Sequence, residues 1–200
     1  MTANFATKSS VPEPQSGALI VILGPSGAGK DTLMERVAAD LRGDSHVLFV
    51  RRVVTRPSLA GAEDHDSLSE AEFDKALDEG KFCFSWSANG LRYGLPRQMA
   101  DHLAAGGLAV VNGSRGAFSA MQQVFGQARA VEVTADRATL KARLLARQRE
   151  SASEIEARLD RAAALGSQVQ PALRIDNSGA LDESVRTLEA FLVRCRDGGV

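Results

Sequence analysis

The sequence predicts an α/β protein, a mainly parallel sheet covered by helices on both faces, and three observations predict it. An unbroken apolar run, Ala18 to Leu23, enters a glycine-rich stretch that closes on Lys30 and opens a helical pattern. Strand-like and helix-like segments then alternate along the rest of the chain, as a parallel sheet with crossover helices requires. The 200 residues, 44% of them apolar, suffice for one domain with a real core and for little more.

In Ala18 to Thr32 a buried strand turns into a loop and a helix start, and Gly24, four residues, Gly29 and Lys30 match the phosphate-binding pattern GxxxxGK in the context that motif needs. Successive N–H groups of Gly24, Pro25, Ser26, Gly27, Ala28 and Gly29, proline excepted, can converge on phosphate oxygens at the positive end of the following helix, and Lys30 adds a mobile charge. The residue after the lysine is usually Ser or Thr, whose hydroxyl ligates Mg²⁺; here it is Asp31, followed by Thr32. Asp31 either serves the metal or complements the helix dipole.

After the loop, Leu33, Met34, Val37, Ala38 and Leu41 recur at helical spacing until Gly43. His46 to Val54 reads as one second strand, opening into the loop TRPSLAGAEDHDS. Ser69 and Glu72 form a capping box for a short helix carrying Phe73, Ala76 and Leu77 and stopped at Gly80. Phe82, Phe84 and Trp86 then alternate with polar partners, and Asn89-Gly90 turns the chain into LRYGLP, which predicts an antiparallel hairpin whose aromatic residues form its packed face. Pro96 opens a helix through Met99 and Leu103 to Gly106, and Leu108 to Val111 is a buried strand ending in NGSR. A strand Arg129 to Val133 leads to a helix from about Asp136 that sends Leu140, Leu144 and Leu145 inward and ends in Arg143, Arg147 and Arg149. Ser153 and Glu156 suggest a second capping box, for a helix through Leu159 and Ala163. The strand Ala172 to Ile175, the turn DNSG and an amphipathic helix bearing Leu181, Val185, Leu188 and Leu192 close the chain.

A formal charge of −1 leaves no broad basic field, which argues against nucleic acid as a partner. Cys83 and Cys195 lie far apart in a chain whose first 17 residues show no signal-peptide pattern, so free thiols and a cytoplasmic location are expected. Residues 1–17 read as a disordered tail and 18–200 as a single domain. The longest apolar run near the start is far short of a membrane span. The closing amphipathic helix can pack internally or against a second copy in a homodimer.

The segments GPSGAGKDT, VVTRP with GAEDHDSLSEAEF, FSWSANGLRYG, VVNGSR, RQRESASEIEARL and IDNSG, taken in order, resemble the guanylate-kinase-like branch of P-loop kinases. The likeness is greatest to members that phosphorylate the 1-phosphate of ribose 1,5-bisphosphate, yielding 5-phosphoribosyl 1-diphosphate in phosphonate catabolism. The resemblance implies a three-layer P-loop kinase fold with a five-stranded sheet, an acceptor-binding hairpin and helix insertion over about 55–98, and a lid over about 146–158. It implies ATP and Mg²⁺ as cofactors and a small phosphorylated sugar as acceptor. Gly24 to Thr32 would hold the nucleotide, with Lys30 catalytic. Arg147 and Arg149 would be lid arginines bringing charge to the transferring group, against the alternative of a solvent-facing charge run. Arg56 would hold the acceptor phosphate, assisted by Arg52, and Tyr93 matches a phosphate-contacting position.

From the residues themselves, Glu63, His65 and their acidic neighbours are able to hydrogen-bond sugar hydroxyls, and Arg115 follows the NGSR strand end on the ligand-bearing edge. P-loop enzymes commonly end a later strand in a carboxylate that helps hold the magnesium shell. Here that strand ends in Asn112, so Asp31 is expected to supply the missing carboxylate while Asn112 joins the acceptor side. The second arginine and the tyrosines of the guanylate kinase phosphate clamp are absent from TRPSLAGAEDHDS, which points away from guanine. The alternatives are a nucleoside monophosphate kinase, guanylate kinase above all, and an inactive guanylate-kinase-like binding module. No NKxD guanine-reading sequence occurs, which disfavours a GTPase.

Overall fold

A computed structural model describes residues 17–55, 65–88, 90–148, 151–164 and 169–198. Its main sheet is five-stranded and wholly parallel, in the order β2-β7-β1-β8-β9. These strands are β1 (Ala18–Leu23), β2 (Val47–Val50), β7 (Leu108–Asn112), β8 (Ala128–Thr134) and β9 (Leu173–Asp176). The pleat divides β1 between two cores. Ile20 and Ile22 face α1 (Lys30–Asp40), α5 (Arg137–Ala146), α6 (Ala152–Ala164) and α7 (Leu181–Arg196), while Leu19, Val21 and Leu23 face α3 (Arg97–Ala104) and α4 (Arg115–Phe125). Five apolar residues of β1 are 2% exposed or less, so the strand that feeds the glycine loop is held firmly on both faces. Burying each large aliphatic side chain there contributes roughly 1.5–3 kcal/mol.

A second, four-stranded sheet stands beside the first in the order β4-β3-β6-β5, formed by β3 (Arg52–Val54), β4 (His65–Ser67), β5 (Phe82–Ala88) and β6 (Leu91–Pro96). The single strand expected over His46 to Val54 is therefore two. Val47 to Val50 pair with β7, whereas Arg52 to Val54 pair with β6 and β4. The run VLFVRRVV carries no turn residue at the break, because an edge strand changes sheets without reversing direction. Strand β4 falls where a loop was expected: its sequence His-Asp-Ser lacks apolar alternation, and parallel pairing to β3 supplies its order.

The hairpin forms as expected, with Gly90 at φ 75° in its turn. Its aromatic residues do not share one face. A register shift between Phe82 and Phe84 sends Phe82 onto Phe73 of α2 (Glu70–Asp78), with centroids 4.8 Å apart, while Phe84 and Trp86 enter the core beneath α3 and α4.

The capping box at α2 is present: Ser69 N–H donates to Glu72 Oε2 at 2.8 Å and Ser69 Oγ accepts from Glu72 N–H. The one expected at Ser153 and Glu156 sits two residues earlier. Ser151 N–H donates to Glu154 Oε2 at 2.8 Å, because Glu156 is occupied by Arg137 and Lys141 of α5, each at 2.5 Å. Leu145, expected to point inward, is 41% exposed, so α5 buries the stripe of Leu140 and Leu144 alone. Helix α4, for which no periodic signal was read, starts at Ser114, whose Oγ accepts from Ala117 N–H.

Candidate active site

The loop between β1 and α1 takes backbone conformations that require glycine. Gly24 has φ 146°, and a Cβ there would lie 2.0 Å from the Val133 carbonyl oxygen of β8. Gly29 has φ 84° at the N-cap of α1, where no side chain caps the helix, so none competes for its leading amides. Lys30 curls back over the loop and donates to the carbonyls of Gly24 and Pro25, each at 3.1 Å. These amides, the helix dipole and one ammonium suit a polyphosphate, so the residues present fit the tail of ATP.

Two further residues brace this loop, and neither was counted among the site residues. The Arg143 guanidinium of α5 donates to Asn177 O at 2.9 Å and approaches the Gly27 and Ala28 carbonyls at 3.4 and 3.5 Å. Asn177, 2% exposed, donates through Nδ2 to Ala28 O at 2.8 Å. A Cβ on Gly29 would come within 2.5 Å of that same Nδ2, so the glycine also permits the close approach. Arg143 stood out in sequence only as a member of a basic run and Asn177 only as a turn residue.

Asp31 and Asn112, 81 residues apart in sequence, are joined: Asn112 Nδ2 donates to Asp31 Oδ1 at 2.5 Å. Asn112 is 7% exposed at the end of β7, and Asp31 stands in the first turn of α1 beside the lysine. Among the described residues no group of three or more His, Cys, Asp or Glu side chains is placed to hold a metal. Mg²⁺ in kinases is commonly bound by one or two carboxylates, waters and substrate phosphates, and the oxygen donors here are of that kind.

Arg115 is on the ligand-bearing edge, at the start of α4, but its guanidinium is committed to Glu132 at 2.9 Å. Glu132 is 5% exposed and takes a second partner, Arg174, at 3.2 Å. Removing Arg115 leaves a buried carboxylate with one half-solvated partner. Arg115→Met is accordingly expected to cost about 2–3 kcal/mol, read as a lowered melting temperature; an acceptor KM that rises without a stability loss would mark the side chain as a substrate contact instead.

Tyr93 lies between Trp86, stacked at 5.0 Å and 12°, and Arg52, whose guanidinium carbon is 5.4 Å from the ring centroid. Arg147 is exposed at the C-cap of α5, followed by Gln148 at φ 51°. His65 takes its place in β4 opposite Arg52. Arg56, Glu63 and Arg149 lie outside the described residues. Both cysteines are free thiols; burial pushes Cys83 up to about 11, and it donates to the Pro96 carbonyl at 3.3 Å, so it is a packing group rather than a nucleophile. No helix among the described residues is long and apolar enough to cross a membrane.

A parallel sheet with a glycine-lined phosphate loop at its carboxyl edge and a small second sheet beside it defines a P-loop kinase of guanylate kinase architecture. The fold is that of the guanylate kinase from Anaplasma phagocytophilum, with a TM-score of 0.64 at 18% identity over 91% of this chain and 90% of that one. An AAA domain family model matches residues 20–162. The chain belongs to the ribose 1,5-bisphosphate phosphokinase family. It is 42% identical to the ribose 1,5-bisphosphate phosphokinase PhnN of Brucella melitensis over 88% of this chain and 90% of that protein, and 42% identical to that of Agrobacterium fabrum over 87% and 95%. The corresponding protein of Pseudomonas paraeruginosa is 43% identical over 88% and 96%.

Proposed function

We propose that this chain transfers the γ-phosphoryl group of ATP to the 1-phosphate of ribose 1,5-bisphosphate, giving 5-phosphoribosyl 1-diphosphate, as a cytoplasmic enzyme of phosphonate catabolism. The observation that carries the reading is an intact phosphate loop in a chain about 42% identical, over nearly its whole length, to kinases named for this acceptor.

An acceptor phosphate is already ionised near pH 7, so the chemistry needs positioning and positive charge more than a base. Gly24 to Thr32 hold the nucleotide tail. Lys30 moves from the loop carbonyls to the terminal phosphates. Arg147 and Arg149, on a lid over about 146–158, close over the donor and bring guanidinium charge to the transferring group. On the acceptor side, within about 55–98, Arg56 and Tyr93 hold phosphate and Glu63 and His65 meet the sugar hydroxyls, with Asn112 and Arg115 at the carboxyl edge of the sheet. Mg²⁺, when bound, neutralises charge on the phosphate oxygens.

Asp31, oriented by Asn112, serves the metal directly or through water. Asp31→Ser is expected to raise the half-saturating magnesium concentration about tenfold, since one anionic ligand is lost; an unchanged magnesium dependence would leave Asp31 a helix-dipole residue. The overall reading is tested by incubating the purified protein with ATP and either ribose 1,5-bisphosphate or GMP and identifying the product by phosphorus NMR. A diphosphate at C1 of the ribose is the expected result, and GDP would overturn it in favour of a guanylate kinase.

A further inference from the structure

Arg92 of β6 reaches α2 with its side chain and the end of β3 with its backbone. Its Nη1 donates to Asp74 Oδ1 at 2.5 Å and to Glu70 Oε2 at 3.4 Å, and its guanidinium carbon lies 4.4 Å from the centroid of the Phe73 ring. Glu70 and Asp74 stand one turn apart on α2 with Phe73 between them in the chain, so one planar fork covers the helix face turned toward β6. Phe73 is 1% exposed and also packs on Phe82 of β5 at 4.8 Å, which fixes α2 to both strands of the hairpin through one ring.

The backbone of the same residue holds the strand end. Arg92 N–H donates to Thr55 Oγ1 at 2.9 Å and Thr55 N–H donates to Arg92 O at 3.1 Å, which carries the β3–β6 pairing one residue past Val54. Val54 O in turn accepts from Leu68 N–H at 3.1 Å, just before the cap of α2. Exposed arginine–carboxylate pairs contribute little to stability, and the Glu70 and Asp74 side chains are 60% and 63% exposed. What this cluster fixes is direction. Two carboxylates and a ring restrain the guanidinium together, and through it the angle between α2 and the hairpin.

We propose that Arg92 is a positioning residue for the acceptor: it locks α2, the hairpin and Thr55 into one unit, so that the groups this unit carries meet the acceptor in a fixed geometry. Its contacts named here all lie on the acceptor side, none in the loop 24–32, so the effect falls on one of the two substrates. The ligand rests on the ribose bisphosphate reading above; the junction does not.

Steady-state kinetics with ATP and ribose 1,5-bisphosphate, paired with thermal melts, test it. Arg92→Met raises the acceptor KM about tenfold and leaves the ATP KM within about twofold. Arg92→Lys recovers part of the loss, since an ammonium neither forks between two carboxylates nor stacks as well on Phe73. Asp74→Asn raises the acceptor KM about threefold, and adding it to Arg92→Met changes nothing further, because both remove the same link. Thr55→Val, which deletes the backbone link, also raises the acceptor KM about threefold. Multiplying effects of Arg92→Met and Asp74→Asn would overturn the proposal, as would an ATP KM that rises in step with the acceptor KM, or a lowered melting temperature with an unchanged acceptor KM. Where Arg92→Met fails to fold, Asp74→Asn and Thr55→Val carry the same comparison. A wild type that phosphorylates GMP instead of the bisphosphate sinks the functional reading but not this one, which the same KM comparison with GMP as acceptor then decides.

Discussion

Lys30→Met is expected to lower turnover about 1,000-fold, close to 4 kcal/mol of lost transition-state stabilisation, with little loss of folding stability. The reasoning is electrostatic. Charge shifts among the phosphate oxygens as the phosphoryl group transfers, and a cation brought to that point offsets it. In the folded protein the ammonium rests on the Gly24 and Pro25 carbonyls, and each such hydrogen bond to a neutral acceptor contributes only about 1 kcal/mol to stability. Rate measurements at saturating ATP, paired with a thermal melt, check both halves. A variant within tenfold of the wild-type rate would remove Lys30 from the catalytic set.

Gly24→Ala is expected to weaken ATP binding more than 100-fold, a larger binding effect than any single charge removal in the loop. The added methyl would meet the Val133 carbonyl at 2.0 Å, and that carbonyl belongs to a strand packed on both faces. Backbone cannot swing aside as a side chain can, so the loop must move and its amides lose their convergence. Gly43→Ala provides the control: Gly43 also has a positive φ, 104°, but nothing lies within 4 Å of a Cβ there. That substitution carries only the strain of a left-handed residue, roughly 1–2 kcal/mol, and should leave ATP affinity unchanged. Calorimetric titration of both variants with ATP separates lost site geometry from lost stability.

Much of this architecture was legible in the chain because its signals are local. The run Ala18 to Leu23, six apolar residues bounded by glycines, has the length of a strand buried on both faces rather than of a helix, and the glycine spacing that follows marks a loop. Ser69 and Glu72 announce a helix start because the reciprocal bonds lie within four residues. Local signals also misled where two solutions fit equally well. Ser151 with Glu154 and Ser153 with Glu156 have the same spacing, and only the position of Arg137 and Lys141 on the neighbouring helix selects the first. The alternation of Phe82, Phe84 and Trp86 read as one face, yet a bulge turns Phe82 over, and nothing in three aromatic residues encodes it.

The active-site pairs were of the second kind. Asp31 and Asn112 each drew attention alone, but their hydrogen bond depends on β1 and β7 lying side by side in register, with Ile22 opposite Asn112. Arg143 and Asn177 reach the loop because α5 and the turn after β9 converge on it, and Arg115 meets Glu132 across the top of the sheet.

The amino-acid order determined the phosphate loop, the α/β alternation and the family, because glycine conformation, hydrophobic period and helix capping act over a few residues. The partners of its charged side chains were decided only by the folded sheet. Coulombic and hydrogen-bond partners are chosen by distance in space, and strand order, not sequence separation, sets that distance.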